Sequence, residues 1–153
     1  SWVLKRELMW VPVFGWALAT MSPIAIDRKT GRHAVQQIAE QGTRHLHAGR
    51  HVMIFPEGTR VAPGQRGRYR LGGGVLAQEA GFPVIPVAHN AGVFWKRRAL
   101  YKHPGTIDVV IGPPIETRGR DATEIMADVE NWIEGQMERL PASPDSAASE
   151  PAT

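Results

Sequence analysis

Four apolar residues in a row, Val52-Met53-Ile54-Phe55, run directly into Pro56-Glu57-Gly58-Thr59-Arg60. A short apolar run with no polar alternation reads as a buried strand. Proline has no N–H for a sheet ladder, so this strand ends at Pro56. A carboxylate, a glycine, a hydroxyl and a guanidinium then follow at its mouth. In open α/β sheets, ligands bind just beyond the carboxyl ends of the strands. The stretch therefore constrains both the fold and the position of a site.

The rest of the chain repeats the pattern of short apolar runs separated by helical spacing. Trp2-Val3-Leu4 looks like the middle of a strand, and Ile24-Ala25-Ile26 like another, ending in Asp27-Arg28. Residues 83–89, PVIPVAH, read as a buried strand, and residues 106–111 as a further strand closed by Gly112-Pro113-Pro114. Between them, Ala34, Val35, Ile38, Ala39 and Leu46 give residues 32–48 an apolar stripe that Gly49 stops. A second helix is expected over residues 71–80, ending at Gly81. The last opens with Asp121 and Glu124 in capping-box spacing and is lined by Ile125, Val129, Trp132, Ile133 and Met137. Residues 62–67 and 90–105 look irregular. Strands alternating with helices give an α/β domain over residues 1–140, a largely parallel sheet flanked by helices. Residues 141–153 are rich in Pro, Ala, Ser and acid and read as a disordered tail.

With 153 residues the chain is long enough for one domain with a real core. It has no cysteine, which excludes a disulfide framework and a thiolate zinc site. A net charge of +3 suits anionic partners such as phosphates or acidic lipid headgroups. Residues 8–26 carry no charge, yet Pro12, Gly15, Ser22 and Pro23 interrupt them. The expectation is a short helix near residues 11–21, lying on a bilayer surface through Trp10, Phe14 and Trp16 without spanning it.

Several motifs fail on context. Gly72-Gly73-Gly74-Val75-Leu76-Ala77 fits a dinucleotide fingerprint but lacks a strand directly before it, and Arg97 stands where a ribose-binding acid belongs. No P-loop pattern occurs. His45, His47 and His51 have no carboxylate at ligand spacing, so no metal site is expected. What remains is a pair of strands that would deliver Arg28 and Arg60 to one edge of a parallel sheet. Two guanidiniums converging there suit a phosphate, which each can grip through a fork of N–H bonds.

These residues carry a resemblance. Phe55-Pro56-Glu57-Gly58-Thr59-Arg60 resembles the third signature block of the 1-acylglycerol-3-phosphate acyltransferases, the lysophosphatidate acyltransferase family. Ile26-Asp27-Arg28 resembles the end of the second block, and Val84-Ile85-Pro86-Val87 the fourth. Lys5-Arg6-Glu7-Leu8 with Val11-Pro12-Val13-Phe14-Gly15 resembles the stretch between the first two, so the likeness covers residues 2–140. Ser22-Pro23 departs from the family's frequent glycine.

The resemblance implies acyl transfer from acyl-CoA or acyl-carrier protein to the sn-2 hydroxyl of 1-acylglycerol 3-phosphate, giving phosphatidate, with no cofactor, metal or nucleic acid. It implies Arg28 and Arg60 as phosphate ligands, Lys5 as a third, and Gly58 and Thr59 as backbone donors. Glu57, which phosphate would repel, would hold an arginine or a histidine in place. The family's catalytic His and Asp lie in an Asn-His-x-x-x-x-Asp block upstream of the Lys-Arg-Glu-Leu stretch, so they are expected before Ser1 and the chain is expected to be a fragment. His103 to Asp108 has the same spacing but follows the other blocks, with Lys102 in place of asparagine. The expected location is the cytoplasmic face of a bacterial inner membrane. Acylation of glycerol 3-phosphate or another lysolipid is an alternative, as is a non-catalytic phosphate- or lipid-binding module.

Overall fold

A computed structural model of the chain describes residues 1–20, 22–26, 31–96 and 99–141, with Lys5, Arg6 and Arg32 described by their backbone alone. The chain enters through β1 (Val3–Lys5), turns through a 3-10 segment (Arg6–Trp10) into α1 (Phe14–Thr20), and returns as β2 (Ile24–Ile26). It then forms α2 (Arg32–His47), α3 (Gly72–Ala80), β3 (Val87–His89), a single turn α4 (Ala91–Phe94), β4 (Val109–Ile111) and α5 (Ala122–Met137).

β1 pairs in parallel with β2, with Val3 opposite Ile24 and Lys5 opposite Ile26. On its other side Trp2 makes a parallel bridge to Met53, through Val3 N–H to Met53 O at 3.2 Å and Met53 N–H to Ser1 O at 2.8 Å. Three segments therefore run side by side in one direction, with β1 in the middle. β3 and β4 form a separate antiparallel pair that a bridge between Val84 and Ile115 extends. The α/β class stands, whereas the single, largely parallel sheet becomes a parallel half and an antiparallel half.

The core gathers Ile24 and Ile26 from β2, Ile38 from α2 and Leu76 from α3, with Val3, Leu46, Val52 and Ile54 packed around them. α3 lies between α2 and α5, and small residues set how closely they approach. A Cβ on Gly42 would fall 2.6 Å from Leu76, and one on Gly74 would fall 2.5 Å from the carbonyl of Ala122. The glycines of the Gly-Gly-Gly stretch thus serve helix packing, which disposes of the dinucleotide reading. α5 starts where the spacing predicts: the Asp121 side chain accepts from Thr123 N–H at 2.8 Å, and Gln78 of α3 takes the N–H of Ala122 at 2.9 Å. Its expected apolar stripe faces the core at Ile125 and Val129.

The segment 52–55 differs from expectation. It forms one bridge instead of a strand, and its alternate residues Met53 and Phe55 are 49% and 57% exposed. Val52 and Ile54 reach the core while their neighbours face outward, so the run has a strand's alternation that its composition hides. The helix near residues 11–21 shortens to α1, after Val13 takes a φ of 65°, a costly conformation for a β-branched residue. The tail beyond Pro141 lies outside the described residues.

Candidate functional site

The parallel register gives β1, β2 and the segment leading to Glu57-Arg60 one direction, so Lys5, Ile26 and Phe55 lie towards the same edge. Lys5 and Ile26 are the last paired residues of β1 and β2, and the 53–55 segment runs alongside in the same direction. The Lys5 side chain, and Arg28 altogether, lie outside the described residues, so the site is built from the third segment.

That segment turns sharply. Gly58 N–H donates to Phe55 O at 3.0 Å, with Gly58 at φ 65°, in the left-handed region glycine tolerates. Arg70 N–H donates to Pro56 O at 2.9 Å, tying the returning chain to the turn. The Arg70 side chain lies across Gly58, where a Cβ would come within 2.9 Å of its Nε. Gly67 gives room to the stem of Glu57, whose Cγ would be 3.2 Å from a Cβ there. The turn is thus walled by its own loop.

Glu57 pairs with none of the described arginines. Arg66 donates to Glu130 at 2.9 Å and Arg120 to Asp128 at 2.6 Å, the two salt bridges among the described residues. Partial burial, then the charge of Glu134, push the Glu57 carboxyl above its ordinary pKa. Tyr69 donates to Glu134 Oε1 at 2.9 Å, and its phenol is pushed up by burial and by that bond.

The guanidinium of Arg60 meets Trp95, with its Cζ 5.2 Å from the centroid of the ring. The ammonium of Lys102 lies 4.1 Å from the same centroid. Neither Trp95, Lys102 nor Arg70 stood out in the sequence. Arg70 carries no motif, and Trp95 precedes Lys96-Arg97-Arg98, a basic run that reads equally well as a membrane patch.

Phe55 also lines an apolar cleft of about 480 Å³, together with Trp2, Val3, Leu4, Leu18 and Pro23. Trp2 and Phe55 stack with ring centroids 6.2 Å apart. Phe55 therefore belongs both to the apolar cleft, through its ring, and to the turn, through its carbonyl. That volume is within the range of small-molecule pockets.

The remaining candidates are structural. His45 shares a 2.9 Å contact with Ser1 Oγ, and its pKa is lowered by burial and then by the neighbouring Arg50. The His47 ring meets Phe82 edge-on at 5.5 Å. No cluster of three metal-ligating side chains occurs among the described residues. In the His103–Asp108 stretch, the Asp108 carboxylate accepts from Asn90 Nδ2 at 2.8 Å and its N–H donates to Asn90 Oδ1 at 2.9 Å. That aspartate serves a loop base.

The family model described as Acyltransferase matches residues 1–90. A 1-acyl-sn-glycerol-3-phosphate acyltransferase of Pseudomonas aeruginosa strain PAO1 is 49% identical over 143 residues, covering 92% of this chain and 56% of that protein. The mouse 1-acyl-sn-glycerol-3-phosphate acyltransferase alpha is 31% identical over 127 residues, 82% of this chain and 45% of that protein. The chain thus spans about half the length of these relatives. The crystal structure of the 1-acyl-sn-glycerophosphate acyltransferase PlsC from Thermotoga maritima superimposes with a TM-score of 0.72, over all of this chain and 58% of that one. At 19% identity that likeness concerns the fold.

Proposed function

The chain belongs to the acyltransferase family, and from that premise we propose that it forms the acceptor-binding part of an enzyme that acylates 1-acylglycerol 3-phosphate at its free hydroxyl. The observation that carries this reading is the junction at Phe55. Its ring lines an apolar cleft, and its carbonyl closes the turn that leads to Arg60. Lysophosphatidate has the same division, an acyl chain joined to a phosphate monoester.

Each part has a task. Arg60 grips phosphate oxygens through its N–H fork, and the parallel register supports Lys5 and Arg28 joining it from the same edge. The expected Gly58 donor is corrected by the turn, which spends its N–H on Phe55 O, so the backbone donor proposed for the anion is Thr59. Glu57 does not touch the phosphate, because like charges repel. With no described cation paired to it, it orients an imidazole N–H near the attacking hydroxyl. The hydroxyl, deprotonated by that imidazole, attacks the thioester carbonyl of acyl-CoA or acyl-carrier protein. The thiolate leaves, and the acyl group ends on oxygen. The chain holds no Asn-His-x-x-x-x-Asp block, and its one His-x-x-x-x-Asp is engaged elsewhere.

The acceptor and product are lipids, which supports a bilayer surface as partner. Trp10, Val13, Phe14 and Trp16 are 83%, 71%, 52% and 72% exposed, a patch unusual for a surface facing only water. No helix among the described residues is long and apolar enough to cross a membrane. The cytoplasmic leaflet of a bacterial membrane fits this reading.

Binding of lysophosphatidate, monoacylglycerol of the same chain length and inorganic phosphate to the chain tests the proposal. Lysophosphatidate is expected to bind at least about tenfold more tightly than either partial ligand, since each lacks one contact worth roughly 1.5 kcal/mol or more. Equal binding of monoacylglycerol would remove the phosphate site, and equal binding of phosphate would remove the cleft.

A further inference from the structure

Two cations share one indole beside the Glu-Gly-Thr-Arg turn. Arg60 Cζ is 5.2 Å and Lys102 Nζ 4.1 Å from the Trp95 centroid, so the charges lie within about 10 Å of each other, roughly one Debye length at 0.1 M salt. Neither has a carboxylate within ion-pair distance among the described residues. Like charges gathered this closely repel, and a shared indole only partly offsets the repulsion. An anion between them would convert the repulsion into attraction.

The chain fixes this gathering from behind. Trp95 follows α4, its N–H donating to Ala91 O at 3.1 Å. His103, next to Lys102, donates its N–H to Phe94 O at 2.9 Å, so the excursion that begins at Trp95 closes where Lys102 ends. Gly105 lies so close against the Phe94 ring that a Cβ would fall 2.1 Å from it. Asn90, 2% exposed, clamps Asp108 with two hydrogen bonds just beyond. These bonds pin the loop base, which brings Lys102 to the ring that Arg60 also meets.

We propose that Lys102 is a further phosphate-binding cation of the acceptor site, and that Trp95 is the positioning residue that holds it beside Arg60. This rests on the reading of Arg60 as an acceptor-phosphate ligand. The ligand chemistry is a phosphate monoester, which keeps up to two negative charges and can satisfy an ammonium and a guanidinium at once. Trp95 leaves the acyl-transfer chemistry alone and sets where the two cations stand.

The test is calorimetric titration of the chain with sn-glycerol 3-phosphate, a water-soluble monoester, alongside flotation with phosphatidylglycerol vesicles. Lys102→Ala is expected to weaken glycerol 3-phosphate binding about tenfold, the loss of one charge-assisted contact. Trp95→Leu should weaken it similarly, while Trp95→Phe, which keeps a ring, should retain most of the affinity. Lys96→Ala, which removes a nearby charge of the same sign, should change it by less than about twofold. Combined with Arg60→Ala, Lys102→Ala should be less than additive. If Lys102→Ala does no more than Lys96→Ala while Arg60→Ala still weakens binding, this inference is wrong and the acceptor reading survives. If Arg60→Ala is also silent, or the unaltered chain does not bind glycerol 3-phosphate, both fall. Loss of vesicle binding with monoester binding intact would assign Lys102 to the membrane surface and overturn the proposal. A Trp95→Phe variant that binds as poorly as Trp95→Leu would remove the positioning role.

Discussion

Glu57 keeps a carboxyl where its surroundings disfavour the charge, raised first by partial burial and then by Glu134. A folded pKa above the unfolded value contributes stability that is fully present below pH 4.5 and is lost as pH rises through the folded value. At neutral pH the ionised carboxylate is therefore a net cost to the fold. Glu57→Gln should leave thermal stability at pH 7 unchanged or slightly higher, with the difference shrinking towards pH 4. In a catalytically active form of the protein, the same change should lower acyl transfer by at least about tenfold, the loss of an orienting carboxylate. A variant whose melting temperature at pH 7 falls together with its activity would make Glu57 a structural residue. Arg66 is the contrast at this scale: it holds Glu130 at 2.9 Å on an open surface, where such a pair contributes about 0–1 kcal/mol. Arg60, which has no ion pair among the described residues, is the arginine the proposed phosphate site uses.

Among the elements, α5 was readable to its first turn because its start is a local device. Asp121 accepts from Thr123 N–H, and this bond holds its carboxyl below the ordinary aspartate range. A depressed pKa contributes stability above the unfolded value, which is lost as pH falls through the folded one. Replacing Asp121 by Asn, which can still cap, should therefore lower stability slightly at pH 7 and not at all well below pH 3.8. A difference between the two proteins that persists undiminished in acid would rule out the charged cap. The 3-10 segment and α1 belong to another class of element, short and apolar on their outer side. Trp10 and Trp16 there are the residues a bilayer would bury. Trp10→Ser with Trp16→Ser should reduce vesicle partitioning by at least about tenfold, given roughly 1.5 kcal/mol or more for each buried aromatic. Unchanged flotation would place the contact elsewhere. Helices were legible because stripe, cap and stop are all written within one element. Strands were less so: the antiparallel pairing of β3 with β4 and the exposure of Met53 depend on neighbours that local composition does not name.

Across the whole molecule the same divide separates what could be foreseen from what could not. An edge where strands end in charge was legible in the sequence, and the described register runs β1, β2 and the segment of Met53 parallel, as that reading requires, while Asp27 and Arg28 lie outside the described residues. The Trp95 and Lys102 cluster comes from the antiparallel half, through a long excursion whose closure at Phe94 has no sequence signature. The apolar cleft forms from residues on β1, α1, the start of β2 and Phe55, four places in the chain that only folding joins. This division of labour leads to the last prediction. On the proposed function the described groups all serve binding: cations for a phosphate, an apolar cleft for a chain, and a carboxylate with no described cation paired to it. The one histidine with an aspartate at the family's spacing, His103, is followed by Pro104-Gly105, and its Asp108 is held by the nearly fully buried Asn90. Without a base, an alcohol is a weak nucleophile at neutral pH. The 153-residue chain should therefore bind lysophosphatidate yet form no phosphatidate from acyl-CoA above the uncatalysed rate. Mass-spectrometric detection of phosphatidate that disappears on His103→Ala would show that this histidine is the base after all. Turnover that survives His103→Ala would instead require a base among the residues assigned to binding, with Glu57 the first to examine.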